Sequence, residues 1–261
     1  MADHFPLRVL CLLLCLLGWP LSGAAATPQH IISLTPHLTE LLYDIGAGDR
    51  IVATDDASDF PPEVAPLPRV ANYRSINLEA LLAQKPDLVV AWRSAQSRML
   101  APVEKLGIPV FYSEPTDFAS LADEMRSLGR LLGARQKADQ QAGAYLARLN
   151  ALKQRYGKPK PVSVFYQLWY PPLTSVNDST WPGHAIRLCG GRNIMADASA
   201  PYPQVGLEQV IKANPGLILA GSRDPAVLAH WRQWAMLDAV KQQRLVLINP
   251  DELHRFTPRA L

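Results

Sequence analysis

The chain reads as an α/β protein of two Rossmann-like lobes, each built on a central parallel sheet, joined by a long rigid α-helix and separated by a ligand cleft. Three observations predict this. A helix–strand unit occurs twice, as Ile76–Leu82 followed by Lys85–Trp92 and again as Val205–Ile211 followed by Asn214–Gly221. The runs Leu88-Val89-Val90-Ala91 and Leu217-Ile218-Leu219-Ala220 are uninterrupted apolar stretches, the pattern of strands covered on both faces. Between the two halves, residues 117–158 keep helical spacing almost throughout.

Taken in order, the chain begins with Arg8, the short apolar run Val9–Trp19 and the small residues Ala24-Ala25-Ala26, the pattern of a signal peptide over residues 1–26 cleaved after Ala26. A first lobe is expected over 27–116. Its first strand is His30–Leu34, and Thr35-Pro36 then supplies an N-cap and a proline at the first helical position. Leu38, Leu41, Leu42 and Ile45 follow at helical spacing, and Gly46-Ala47-Gly48 ends that helix. The duplicated unit comes next, and a further strand over Gly107–Tyr112 closes the lobe.

In the linker, Leu121, Met125, Leu128, Leu131 and Leu132 form one stripe, Gly133 interrupts, and Lys137–Tyr156 resumes in good helix formers. A helical crossing of this kind limits the lobes to small relative motions. The second lobe, 159–261, repeats the plan. Val162–Tyr166 is its first strand, Trp181-Pro182 opens a helix ended by Cys189-Gly190-Gly191, and Arg244–Ile248 echoes the closing strand. Trp231 and Trp234 are expected in the core of a helical stretch over Ala229–Val240.

The formal net charge is +3 and the basic residues are interspersed with acidic ones, which argues against nucleic acid as a partner. After cleavage Cys189 is the one cysteine left. No Gly-x-Ser-x-Gly elbow, phosphate-cradling glycine loop or His-Glu-x-x-His pattern is present, and the histidines lack metal-ligand spacing, so the sequence offers no catalytic or metal-site motif. The chain is read as a binder, not an enzyme.

A ligand of a two-lobed α/β protein belongs at the carboxyl ends of the strands. The loops there are rich in aromatics, Tyr73, Trp92, Trp169, Tyr170 and Tyr202 with Phe60 nearby, and these suit a large, partly flat ligand. His37 and His254 lie on the same loops. Glu79 and Glu208 occupy equivalent first-turn positions in the duplicated unit; each could complement a helix dipole, and as a symmetric pair they suit docking onto basic residues of a symmetric partner.

The chain resembles the cobalamin-binding periplasmic proteins of ABC importers over essentially its whole mature length. The resemblance rests on Ile32-Ser33-Leu34-Thr35-Pro36 with Thr39-Glu40-Leu41, Ser58-Asp59-Phe60-Pro61-Pro62, Asn77-Leu78-Glu79, Lys85–Arg93, Pro171–Ser175, Cys189–Ile194, Pro201–Val205 and Pro258-Arg259. It implies a monomeric periplasmic receptor that captures cobalamin or a related corrinoid and hands it to a transmembrane permease, with no cofactor and no side-chain bond to cobalt. Ligand contacts would come from His37, Ala57, Tyr73, Trp92, Trp169, Tyr202, Asp251, Glu252, Leu253, His254 and Arg255, and Glu79 and Glu208 would dock on permease arginines. Ala57 stands where the family has a tyrosine, His37 where it has a small residue, and Tyr73 and Tyr202 where it has tryptophan. Cys189 matches a disulfide cysteine whose partner sits in a final helix, and the chain is expected to lack that helix. A ferric siderophore or haem receptor of the same fold is the nearest alternative, and a secreted metal-dependent hydrolase a remote one.

Overall fold

The computed structural model describes residues 26–157 and 161–261. The expected signal peptide therefore lies outside the described residues, apart from Ala26. No helix among the described residues is long and apolar enough to cross a membrane.

The first lobe runs β1 (Ile31–Ser33), α1 (Pro36–Asp44), β2 (Ile51–Asp55), β3 (Arg69–Ala71), α2 (Leu78–Ala83), β4 (Leu88–Trp92), α3 (Arg93–Lys105) and β5 (Val110–Ser113). All its strands pair in parallel, in the order β3-β2-β1-β4-β5. Next come α4 (Phe118–Leu131) and α5 (Arg135–Tyr156). The second lobe is β6 (Val162–Gln167), α6 (Trp181–Leu188), β7 (Gly191–Asn193), α7 (Leu207–Ala213), β8 (Leu217–Gly221), α8 (Asp238–Lys241), β9 (Leu245–Ile248) and α9 (Pro250–Leu253). Its sheet is again parallel, in the order β7-β6-β8-β9. That order repeats β2-β1-β4-β5, so the duplication seen in the sequence extends to strand pairing.

The α/β plan with two parallel sheets and a long connecting helix is as expected, and several details differ. β2, β3, α3 and β7 add elements beyond the strands and helices expected from apolar runs. The stretch around Trp231 is a run of 3₁₀ turns over Pro225–Gln233, separate from α8, instead of one helix. Pro225 and the Asp224 cap fix where those turns begin, since the Asp224 side chain accepts a hydrogen bond from the Ala226 N–H. Trp231 is nonetheless fully buried, its indole N–H donating to Gln167 at 2.7 Å, whereas Trp234 is partly buried.

Asp117 and Ser120 form a reciprocal capping box that starts α4. Gly133, at φ +65°, turns the chain between α4 and α5 in a conformation that costs other residues more. At 1.5 Å per residue the 22 residues of α5 span about 33 Å. Its buried Ala138, Ala142, Tyr145 and Leu149 join Leu38, Leu41, Leu42 and Ile45 of α1, Leu121, Met125 and Leu128 of α4, and Trp181 of α6 in one core cluster. The lobes therefore share apolar packing.

Candidate functional site: the interlobe cleft

The strands of both sheets end toward a common cleft. On the first-lobe side a cavity of about 330 Å³ is lined by Leu34–His37 after β1, Asp55–Ala57 after β2, Asn72 and Tyr73 after β3, Trp92 at the end of β4, and His254–Phe256 from the second lobe. A more open depression of about 590 Å³ shares Trp92 and Phe256 with it and reaches Trp181, His184 and Tyr202. A third, of about 170 Å³, lies over the ends of β6 and β8 between Trp169, Tyr170 and Gly221.

Local structure holds these groups in place. The Gln96 side chain accepts from the Trp92 N–H and donates to the Leu34 carbonyl, both at 2.8 Å, which ties the end of β4 to the loop after β1. Asp55, its carboxyl pushed up by burial, accepts from the Ala57 N–H and the Ser58 hydroxyl and fixes the Ala57 loop. Asn72 does the same for the loop of Tyr73, accepting from the N–H groups of Arg74 and Ser75. On the opposite wall the Trp169 indole donates to the Pro171 carbonyl at 2.9 Å.

The aromatic rims are open to solvent. Tyr73 is 81% exposed, Trp169 64% and Tyr202 55%, in a molecule whose other large apolar groups are mostly in its cores. Trp92 is half-buried at the centre, with its ring 5.1 Å from that of Phe256 and 5.8 Å from that of His37, both edge-on.

Burial disfavours the charged form of both histidines. Burial pulls His37 down to about 3, and burial likewise lowers His254, whose Nε2 lies 2.6 Å from the Tyr166 hydroxyl. Gly221 admits this ring: a Cβ there would stand 2.5 Å from two of its atoms. Among the described residues no group of three or more His, Cys, Asp or Glu is placed to hold a metal ion.

The structure thus brings His37, Ala57, Tyr73, Trp92, His254 and Arg255 to one cavity, with Trp169 and Tyr202 on the flanking ones. Three expected contacts, Asp251, Glu252 and Leu253, fall elsewhere. Leu253 points into the second-lobe core with Val164, Tyr166 and Ile186, and Glu252 is exposed, accepting from the Asn249 amide. The reason is α9: one turn of helix rotates successive side chains by about 100°, so neighbouring residues cannot all face the cleft. Asp251 instead accepts from Arg223 and Arg255. Glu79 and Glu208 are both exposed in the first turns of α2 and α7. Cys189 is exposed with a free thiol.

The sequence reading missed an ionic clasp across the lobes. Glu40 of α1, with its side chain 2% exposed, accepts from Arg259 Nε at 2.7 Å and Nη2 at 2.6 Å, and from Arg255 Nη1 at 3.1 Å. Arg255 also donates to Asp59 at 2.6 Å and to Asp251 at 3.3 Å. Arg259 lies over the Phe60 ring at 4.2 Å. Thr39-Glu40-Leu41 and Pro258-Arg259 were visible as motifs, but nothing in either one names the other.

Comparison with known proteins agrees with this architecture. A family model described as periplasmic binding protein matches residues 31–252. The chain belongs to the periplasmic binding protein family. Among its relatives, a vitamin B12-binding protein of Vibrio cholerae serotype O1 is 38% identical over 235 residues, covering 89% of this chain and 85% of that one. A protein of the same description from Yersinia pseudotuberculosis is 35% identical over 260 residues, covering 98% and 89%. The crystal structure of the periplasmic vitamin B12 binding protein BtuF of Vibrio cholerae matches with a TM-score of 0.81 at 37% identity, over 90% of this chain and 92% of that one. The periplasmic heme binding protein HutB of Vibrio cholerae has the same fold, with a TM-score of 0.77 at 23% identity, over 86% and 91%. In this periplasmic binding protein the cleft between the sheets is accordingly the place to seek a ligand.

Proposed function

We propose that the chain is a periplasmic substrate-binding protein that captures cobalamin or a related corrinoid and delivers it to an ABC-importer permease. The observation that carries this reading is similarity to vitamin B12-binding proteins at 34–38% identity over 89% or more of the chain. The geometry supports it: two adjoining depressions and a third over the ends of β6 and β8, with exposed aromatic rims, suit a ligand that is broad, partly flat and edged with amides. Arg255, the cationic group of the main cavity, is already matched by Glu40, Asp59 and Asp251, which disfavours a strongly anionic chelate such as a ferric siderophore. His37, Ala57, Tyr73, Trp92, Trp169, Tyr202, His254 and Arg255 form the binding surface, and residues 1–26 direct export and are cleaved off after Ala26 in the course of it.

Isothermal titration of residues 27–261 with cyanocobalamin, haem and a ferric siderophore tests the reading. Saturable one-to-one binding of cyanocobalamin is expected, tighter than either competitor. Haem or the siderophore binding tightly while cyanocobalamin does not would overturn it.

A further inference from the structure

Acidic and basic residues alternate along most of the chain, and α5 is the exception. Over the whole sequence Lys and Arg number 26 against 23 Asp and Glu, an excess of three. Over α5 alone Arg135, Lys137, Arg148, Lys153 and Arg155 stand against a single acid, Asp139, an excess of four, so the rest of the chain has a net charge of −1. Asp139 lies 3.8 Å from Arg126 of α4, and none of the five cations forms an ion pair among the described residues. All five are exposed. Arg148 and Arg155, about two turns apart, lie on one edge of the solvent face of the helix and Lys153 on the other.

A cavity of about 340 Å³ opens beside the C-terminal half of α5, between α4, α5 and α6. Phe118, Leu149 and Leu188 give it an apolar lining, and Lys153 and Arg187 bring two cations to it. Asp117 and His184 line both this cavity and the open interlobe depression, and so stand between them. Arg187 is held in place by donating to His184 Nδ1 at 2.6 Å and to Asp178 at 3.3 Å. Asp117, the acid of the lining, is engaged as the N-cap of α4, where it accepts from the Ser120 N–H at 2.8 Å.

We propose that α5 and this cavity together dock an acidic peptide segment of a partner macromolecule, with carboxylates on Arg148, Lys153, Arg155 and Arg187 and a small aliphatic side chain in the cavity. Charge complementarity sets the sign of the partner, and the apolar lining favours a peptide over a bare polyanion. A lipid surface fits less well. Between the basic edges the solvent face is Gly143, Ala147, Asn150, Ala151 and Gln154, without the apolar bulk that an interfacial helix buries among acyl chains. The docking is independent of what the cleft binds. It also leaves Glu79 free, because α2 packs on the opposite face of the first sheet from α1, α4 and α5.

Fluorescence anisotropy of a labelled peptide of alternating Glu and Ala, titrated with residues 27–261, tests the proposal. Saturable binding is expected, weakening about tenfold between roughly 0.02 and 0.2 M salt, with no binding of the matching Lys-Ala peptide. The triple variant Arg148→Gln, Lys153→Gln, Arg155→Gln should bind the peptide about tenfold more weakly or worse. Ala119→Glu should do the same, because Ala119 is exposed at the cavity and the new carboxylate would repel the incoming one. Both variants should keep the wild-type Tm, since the replaced residues are exposed and an acid in the first turn suits the dipole of α4. Undiminished peptide affinity in either variant overturns the proposal. So does the absence of peptide binding at low salt, or binding to vesicles of phosphatidylcholine and phosphatidylglycerol in preference to the peptide.

Discussion

Replacing Glu40 by alanine should be among the most damaging single changes in the molecule. The substitution removes one carboxylate and strands two guanidinium groups. Arg259 loses both of its hydrogen bonds to carboxylate, and Arg255 loses one of three. Breaking a buried ion pair from one side costs about 3–5 kcal/mol. The lower end applies here, because the Arg259 side chain is 30% exposed and Arg255 keeps Asp59 and Asp251. At roughly 2–4 °C per kcal/mol for a chain of this size, about 3 kcal/mol lowers the Tm by ~6–12 °C. Thermal and urea unfolding of Glu40→Ala, Arg259→Ala and the double variant would measure this. The double variant should recover about 1–2 kcal/mol relative to the sum of the singles, since it no longer holds an orphaned Arg259. A Tm within 2 °C of wild type, or additive singles, would refute the reasoning.

Four further outcomes follow from the same structure. Asp44 is pushed up to about 6 by burial and then by Glu40, against the pull of Arg259 and Lys137. The folded state thus holds a proton that the unfolded chain releases near 3.8, and this contribution is present below that pH and lost as pH rises through about 6. Asp44→Asn should stabilise the protein by roughly 1–3 kcal/mol at pH 7.5 and by little at pH 4, read from urea midpoints. Trp92→Ala should weaken cyanocobalamin binding by about 30-fold, the ~2 kcal/mol of a central aromatic contact, while the Tm moves little; calorimetry showing undiminished affinity would remove Trp92 from the site. Changing both Glu79 and Glu208 to Ala should leave ligand affinity intact and sharply reduce transport by a reconstituted importer, and normal transport would sink the docking role. Thiol titration of native residues 27–261 should report one reactive sulfhydryl, from Cys189, and finding none in the monomer would contradict its free, exposed state.

How much of this was legible in the sequence depends on whether the signal was local. The central strands were, because β4 and β8 are unbroken apolar runs and their flanking prolines mark where the preceding helices stop. β3 and β7, of three residues each, were not: Arg69 and Arg192 interrupt them, and their pairing is dictated by β2 and β6. The aromatic rim was legible because exposed aromatics at strand ends have few other uses. The clasp was not. His37, Glu40 and Asp44 follow the i, i+3, i+7 spacing of one helix face beside that of the leucines, a polar stripe of the kind that usually marks a solvated surface. Here that face is buried by a segment more than 200 positions away, a fact that no local pattern encodes. The same distance explains Leu253, whose direction is set by the core beneath α9 and not by its neighbours in sequence.

The clasp also bears on kinetics. The lobes are tied once by α5 and again where the chain crosses back through Arg255 and Arg259, so the proposed binding surfaces stand assembled before any ligand arrives. Capture then needs no slow rearrangement, and differences between ligands should reside in how long each stays. Release is the costly direction. Whatever empties the cleft by parting the lobes must separate Glu40 from two arginines, and therefore has to bring compensating charge of its own or draw on an external source of work.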